Sequence, residues 1–190
     1  FGADVRRAVK AQPAARRSLS AVTWCLAARA EGFPLARHTV FFSNRYQSEF
    51  DDIFVHRRLP ATPTVYVCAQ DRDDSGTAPV GSRERVLVLA NAPAIGDQRE
   101  LDSDELAAYE ARSFGMLERC GLRIERSAAD TVVTTPAGFE RLFPASGGAL
   151  YGPASHGWRS SFVRPRSRSR VPGLYLAGGS VHPGPGVPMV

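Results

Sequence analysis

A glycine- and proline-rich segment near the end of the chain has the residue types that could hold a ligand. The apolar run 173–177 leads into Gly178, Gly179 and Ser180. This pattern predicts a buried strand that ends in a turn without bulky side chains, where main-chain amides can approach a ligand closely. The residues that follow would hold a fixed curve against a flat ring system; they are Val181, His182, Pro183, Gly184, Pro185, Gly186, Val187 and Pro188. Spacing alone leaves a ligand site and an ordinary structural turn both open.

Few side chains have the pattern of an acid, a base, a nucleophile or a metal ligand. His182 is a candidate for accepting or relaying a proton, and a structural hydrogen bond is its alternative role. His156 is a candidate either for substrate contact or for simple exposure to solvent. The histidines and cysteines lack metal-ligand spacing, so the sequence predicts no metal site. The acidic residues at 51–52 and 102–105 are expected at helix N-termini, where they would stabilise the helix rather than catalyse a reaction.

The elements that would position these residues are both strands and helices, which predicts a mixed α/β fold without internal repeats. Hydrophobic periodicity predicts buried strands at 20–28 and 39–42 and further strands at 64–69, 85–90 and 122–125. Helices are predicted at 3–11 and 48–59, from Asp102 or Ser103 through Cys120 with Gly121 as the stop signal, and from Thr135-Pro136 to about the glycines at 147–148. Trp24 is expected in the core.

Composition and charge narrow the class of protein. The chain has 190 residues, of which 43% are hydrophobic and 23% charged, as in a globular domain with a sizeable core. Its longest apolar run, 18–28, is far shorter than the roughly 20 residues that cross a bilayer. The three cysteines are too far apart for a disulfide framework, which favours a reducing cytoplasm. The net charge of +5 comes almost entirely from arginine, which indicates either an anionic partner or a GC-rich genome.

The segment from Gly173 to Pro188, taken whole, resembles the C-terminal flavin-contacting signature of the bacterial phytoene desaturase family, the FAD-dependent carotenoid desaturases. Further blocks resemble the same family, so that the resemblance covers 18–190; they are 20–24 with 32–35, 46–59, and 135–144 with 147–152. The resemblance implies FAD as the cofactor. It places Gly178, Gly179 and Ser180 near the phosphates and ribityl chain, and Val187 and Pro188 near the flavin ring.

The resemblance also implies an activity and a domain organisation. Within the family the blocks are similar to the methoxyneurosporene dehydrogenase and 1-hydroxycarotenoid 3,4-desaturase branch, which implies desaturation of an acyclic, hydroxylated or methoxylated carotenoid. The implied architecture is an incomplete two-domain flavoprotein: a helix and linker at 1–17, an α+β carotenoid domain at 18–170, and a truncated FAD-binding segment at 171–190. The chain begins at Phe1 rather than at a methionine and stops within an apolar segment at Val190, so both ends are expected to be cut. Because the family's G-x-G-x-x-G fingerprint is absent, this piece alone is expected to hold FAD poorly and to be inactive.

Two other functions compete with this interpretation. One is an amine-oxidase-like flavoprotein, which shares the general architecture. The other is a nucleic-acid-binding module, because five arginines lie within 159–170. We favour a carotenoid substrate and no nucleic acid, with the arginines attaching the protein to anionic lipid. The expected location is therefore cytoplasmic and peripheral on the inner membrane, and the sequence makes no prediction of oligomeric state.

Overall fold

The centre of the fold is a five-stranded antiparallel sheet. The computed structural model describes residue 8 and residues 13–73, 83–154 and 164–182. The sheet strands are β1 (Ser20–Ala28), β3 (His38–Phe41), β4 (Val65–Ala69), β5 (Glu84–Ala92) and β7 (Thr131–Thr134), and a separate two-stranded ribbon joins β2 (Ala30–Glu31) to β6 (Arg123–Ile124). The strand order in the sheet is β3-β4-β5-β1-β7, so β1 and β5 are its central strands.

Among the described residues, three short-to-medium helices accompany the sheet. They are α1 (Tyr46–Phe50), which continues as a π-helical turn (Asp51–Val55), α2 (Ser103–Arg119) and α3 (Pro136–Leu142); single 3-10 turns occur at Ala14–Arg16 and Ala128–Asp130. Within the described ranges, none of these helices has the length and hydrophobicity to cross a membrane.

The core lies between the sheet and α2. Trp24 on β1 is fully buried, as its sequence context predicted, and its ring meets Phe114 of α2 edge to face at 5.6 Å between centroids. Its indole Nε1 donates to the carboxylate of Glu110 at 3.1 Å. The apolar ring of Trp24 is therefore buried, and its polar N–H has a hydrogen-bond partner. These two contacts hold α2 against the sheet.

The ends of α2 agree with the prediction from sequence. Asp102 accepts from the backbone N–H groups of Asp104 and Glu105 at 3.0 and 2.8 Å, and Glu105 accepts in return from the Asp102 N–H. This reciprocal capping box satisfies N–H groups that the first turn leaves without partners. Gly121 follows the last turn with φ of 87°, a left-handed conformation that favours glycine.

The second predicted strand and the first long helix differ from expectation. The strand His38–Phe41 forms at an edge of the sheet, so Val40 and the adjacent Phe42 are exposed rather than buried. The helical stretch covers 46–55, not 48–59, so the acidic pair at 51–52 lies inside it and not at its N-terminus. Asp52 is buried and accepts from Arg58 Nε at 2.8 Å and from the Ala61 N–H at 3.1 Å. Burial acts to raise the Asp52 pKa, but these donors outweigh it and hold that pKa below its usual value.

The apolar run 173–177 does not form the predicted buried strand. Its pairing within the described residues is one bridge between Tyr175 and Arg168, and Tyr175 is 71% exposed. A strand needs a partner along its length, and the neighbouring 167–169 segment supplies only this short contact. The short helix α3 was predicted correctly at its start, but it ends at Leu142, ahead of Gly147.

The fold class is therefore confirmed as a mixture of helices and strands, with an antiparallel sheet. The two-domain flavoprotein architecture and its boundaries stay predictions. The predicted helix at 3–11 lies outside the described residues except for residue 8.

Candidate functional site

A cavity of about 490 Å³ lies between α3, the loop after it and the predicted ligand segment. The turn formed by Gly178, Gly179 and Ser180, here called the glycine turn, forms one wall. The opposite walls are mainly apolar. The lining residues are Arg17, Phe139, Phe143, Ala145, Ser146, Ala149, Leu150, Gly152, Ala177, the glycine turn and Val181. The cavity thus joins two blocks that are separate in sequence, 139–152 and 177–181.

One carboxylate organises the loop that lines the cavity. Glu140 accepts from the backbone N–H groups of Ala145, Ser146 and Gly147 at 2.7, 3.0 and 2.6 Å, and from the Ser146 hydroxyl at 3.2 Å. Burial acts to raise the Glu140 pKa, but the backbone donors and the hydroxyl outweigh it, so that pKa lies below its usual value. The loop is therefore held by a charged group that points back from α3.

The loop turns on two glycines that cannot carry side chains. Gly147 and Gly148 have φ of 66° and 80°. A Cβ on Gly148 would lie 2.3 Å from the Pro136 carbonyl oxygen, and one on Gly147 would lie 2.2 Å from Arg17 Nη1. The predicted role of these glycines as a helix stop is therefore replaced by another role: they let the loop pack against the start of α3 and against Arg17.

Arg17 closes the cavity from the N-terminal side. Its Nη1 and Nη2 donate to the two carboxylate oxygens of Asp97, both at 2.8 Å, in a two-pronged ion pair. This hydrogen bonding holds the pKa of Asp97 below its usual value. The Arg17 side chain is 10% exposed, and within the described residues its buried Nε has no hydrogen-bond partner. Backbone hydrogen bonds from Ser18 to Gly152 and from Leu150 to Leu19 attach this segment to the cavity wall.

The glycine turn is fixed by close packing. Arg164 Nη1 donates to the carbonyl oxygens of Gly179 at 2.7 Å and Tyr151 at 3.2 Å. Gly152 has φ of 70°, and a Cβ there would lie 2.9 Å from the Ser180 Cβ. By contrast, a Cβ on Gly178 would meet no atom within 4 Å, so this part of the turn is open.

The structure brings together part of the predicted site. Gly178, Gly179 and Ser180 line the cavity. His182 does not line it, and its backbone N–H donates to the Pro165 carbonyl at 2.7 Å. The remaining predicted ligand residues lie outside the described residues, and so does His156; they are Pro183, Gly184, Gly186, Val187 and Pro188.

The other two histidines of the chain, His38 and His56, do not line the cavity. His38 contacts the Tyr66 hydroxyl at 2.7 Å on the edge of the sheet, and His56 is exposed. No group of histidine, cysteine or acidic side chains in the described ranges has a metal-binding arrangement. The sequence analysis did not identify Arg17 or Glu140 as site residues. The only sequence signal for Glu140 was its position on a helix shortly before a pair of glycines, and no sequence signal pointed to Arg17.

The lining residues fit one side of a flat ring cofactor. The glycine turn exposes backbone without side chains on one wall, and Phe139, Phe143 and Leu150 provide apolar surface on others. The charged residue in the lining is Arg17, and both of its Nη atoms are already bound to Asp97. The described part of the lining therefore suits a ring system or a hydrocarbon chain, and the placement of the glycine turn near the FAD phosphates stays a prediction.

Comparison with known proteins agrees with the resemblance seen in the sequence. No family model matches the chain. The chain is, however, homologous to carotenoid desaturases over its whole length. It is 61% identical to a hydroxyneurosporene desaturase of Rubrivivax gelatinosus, with all of this chain matched to 36% of that protein. A hydroxyneurosporene desaturase of Cereibacter sphaeroides is 43% identical over 91% of this chain and 34% of its own length.

A third relative bears on the predicted branch. A 1-hydroxycarotenoid 3,4-desaturase of a Flavobacterium species is 33% identical over 84% of this chain and 33% of its own length. The chain thus resembles the hydroxycarotenoid desaturases in particular, and it spans about a third of the length of the curated relatives it matches.

Proposed function

We propose that this chain is part of an FAD-dependent oxidoreductase that desaturates an acyclic, hydroxylated or methoxylated carotenoid. The observation that carries the proposal is the 61% identity to a hydroxyneurosporene desaturase along the whole chain. The cavity supports it, because its lining residues provide the apolar surface that a polyene requires.

The cavity residues take separate roles in this proposal. The glycine turn forms the cofactor side, where backbone without side chains allows close approach. Phe139, Phe143 and Leu150 form the substrate side, where they hold the polyene and exclude water. Bound FAD would supply the acceptor for the hydride, which carries both electrons, while the second hydrogen would leave the substrate as a proton. Glu140 and the Arg17–Asp97 pair act at a distance, by fixing the walls.

The test of this function uses a protein that carries the chain at the full length of its relatives. The purified protein should retain FAD, and it should convert a hydroxylated neurosporene to a product that absorbs at longer wavelength. Chromatography with absorbance detection measures the conversion, and flavin absorbance measures retention. A protein that binds no flavin and converts no carotenoid would refute the proposal, and one that retains RNA would favour the nucleic-acid module instead.

Two adjacent residues give a matched pair of variants. Phe143 lines the cavity and is 64% exposed, whereas Leu142 is 65% exposed and is not among the lining residues. Phe143→Asp places a charge on the substrate side and should lower conversion at least about tenfold, because a polyene cannot solvate it. Leu142→Asp should leave conversion within about twofold. Equal effects of the two substitutions would remove the cavity from the proposal.

We further propose that the protein is cytoplasmic and peripheral on the inner membrane, since a carotenoid substrate partitions into lipid. The arginines at 159–170 were the predicted attachment site. Arg164 is instead committed to two backbone carbonyls, while Arg166, Arg168 and Arg170 are exposed. Arg159, the first arginine of this segment, lies outside the described residues.

A further inference from the structure

A row of aromatic rings runs along α1 and the π-helical turn, on the side of the sheet that carries β3. Phe42, Tyr46, Phe50 and Phe54 follow each other at intervals of four residues. Successive ring centroids are 5.9, 5.0 and 6.2 Å apart, so each ring contacts the next. Phe42 is 63% exposed and Tyr46 is 49% exposed. Two large aromatic side chains are therefore held in fixed positions and presented outward.

A basic cavity adjoins the exposed end of this row. It has a volume of about 600 Å³, and its lining includes Phe42, Asn44, Thr62, Arg112 and Arg119. The ion pairs formed between described residues do not include either arginine. Within the same residues, the buried Nε of Arg112 has no hydrogen-bond partner. Two guanidinium groups thus lie beside an exposed aromatic ring without a carboxylate to neutralise them.

The exposed charges along the aromatic row itself cancel, so the positive charge of this face comes from the adjoining cavity. Glu49 is buried and accepts from the Thr64 N–H at 3.0 Å and from Asn91 Nδ2 at 2.9 Å, so it is not presented outward. Asp51 is the exposed acid on this helical stretch, whereas Arg45 is exposed beside Tyr46. Arg112 and Arg119 therefore give this face its net positive charge, which would attract an anion.

We propose that Phe42, Tyr46 and the adjoining arginine-lined cavity form a surface that docks on an anionic phospholipid bilayer. Aromatic rings with one polar end, such as Tyr46, favour the boundary between headgroups and acyl chains. Arginine matches the geometry of phosphate oxygens, and Arg112 and Arg119 are placed to receive a headgroup phosphate while Phe42 enters the acyl layer. The proposal rests on the peripheral location proposed above, and it assigns that contact to this face instead of to the arginines at 166–170.

The test is sedimentation with vesicles, using the protein at the full length of its relatives. Vesicles of phosphatidylcholine alone are compared with vesicles that also contain phosphatidylglycerol. Transfer of one phenyl ring into hydrocarbon changes partitioning about tenfold or more, so Phe42→Ser with Tyr46→Ser should weaken binding to both kinds of vesicle by at least that factor. Arg112→Gln with Arg119→Gln should weaken binding to the anionic vesicles alone, by roughly thirtyfold.

Two controls separate this face from the rest of the surface. Tyr175→Ser removes an aromatic residue that is 71% exposed elsewhere, and Arg166→Gln with Arg168→Gln tests the rival arginine segment. Both should leave vesicle binding within about twofold. Vesicle binding that depends on the rival arginines, or that is unchanged in the Phe42 and Tyr46 variant, would overturn the proposal. So would a change of oligomeric state in that variant, measured by sedimentation velocity, because the face would then serve self-association.

The outcome is independent of the enzymatic proposal. Conversion of detergent-solubilised carotenoid should be unaffected in the Phe42 and Tyr46 variant, since neither residue lines the cavity beside α3. Loss of vesicle binding with retained conversion supports the docking surface. Absence of conversion in every protein, including the parent, refutes only the proposed function.

Discussion

Replacing Glu140 tests whether one carboxylate holds the cavity wall. In Glu140→Gln the amide retains one accepting oxygen, but its NH₂ group faces backbone N–H donors that the carboxylate had satisfied. A hydrogen bond to a charged group contributes about 1.5–3 kcal/mol, and a buried donor left without a partner costs about 1–3 kcal/mol. Because the glutamine keeps part of this network, we expect the free energy of unfolding to fall by about 2 kcal/mol.

The pH dependence gives this substitution a second readout. The folded-state pKa of Glu140 lies below its usual value, so its contribution is fully present above the unfolded pKa, near 4.5, and is lost as pH falls through the folded pKa. Urea denaturation of the parent and of Glu140→Gln should therefore differ by about 2 kcal/mol at pH 7. The difference should shrink progressively as the pH is lowered below about 5.

A matched control isolates the network from the loss of charge. Glu118 is exposed near the end of α2, and Glu118→Gln should change the free energy of unfolding by less than about 0.5 kcal/mol. If Glu140→Gln were as mild as Glu118→Gln, or if its effect did not diminish in acid, the carboxylate would not be organising the loop and the reasoning would be wrong.

Three further substitutions test other contacts. Gly152 and Gly173 have φ of 70° and 79°, so an alanine is strained at either position, but only at Gly152 would its Cβ lie close to another atom, 2.9 Å from the Ser180 Cβ. Thermal unfolding should therefore show Gly152→Ala to be more destabilising than Gly173→Ala, by about 1–3 kcal/mol. Arg72→Met leaves the buried carboxylate of Glu84 without its guanidinium partner at 2.7 Å and should cost about 3–5 kcal/mol, with much of the loss recovered when Glu84→Leu is added. Burial, with further contributions from the Cys68 thiol, raises the pKa of Tyr66 to about 12. Tyrosinate absorbance of the folded protein should therefore show a titration step near that pH, and Tyr66→Phe should remove it. Because Tyr66 ionises near pH 10 in the unfolded chain, its contribution to the free energy of unfolding should be lost between about pH 10 and 12.

Local signals predicted much of the fold. The strand at Ser20–Ala28 and the capped helix from Ser103 were both predicted closely, because a continuous apolar run and a capping box depend mainly on adjacent residues. The run 173–177 has equally apolar composition, yet it pairs at one bridge. Composition shows that a segment can be buried but does not identify the neighbour that would bury it. Phe42 was misassigned to a buried strand for the same reason.

Of the candidate site, only the glycine turn was predicted, because it is the part that belongs to a sequence motif. The glycine turn was identified by its resemblance to carotenoid desaturases, and the structure places it in the cavity lining. Arg17 and Glu140 were missed because their roles depend on contacts that the sequence does not encode locally. The Arg17 ion pair joins residues that are 80 positions apart. Glu140 acts on N–H groups of a loop whose course only the fold reveals.

The attachment of residues 16–19 to 150–154 has a consequence for the order in which the protein folds. Hydrogen bonds join Leu150 to Leu19 and Ala154 to Arg16, so they close a loop of about 130 residues, and such distant contacts form after local ones. During synthesis the β4–β5 hairpin and α2 can assemble while the 150–154 segment is still on the ribosome. The cavity is thus completed late, and a nascent chain interrupted before Leu150 would contain all five strands of the sheet but not the complete cavity.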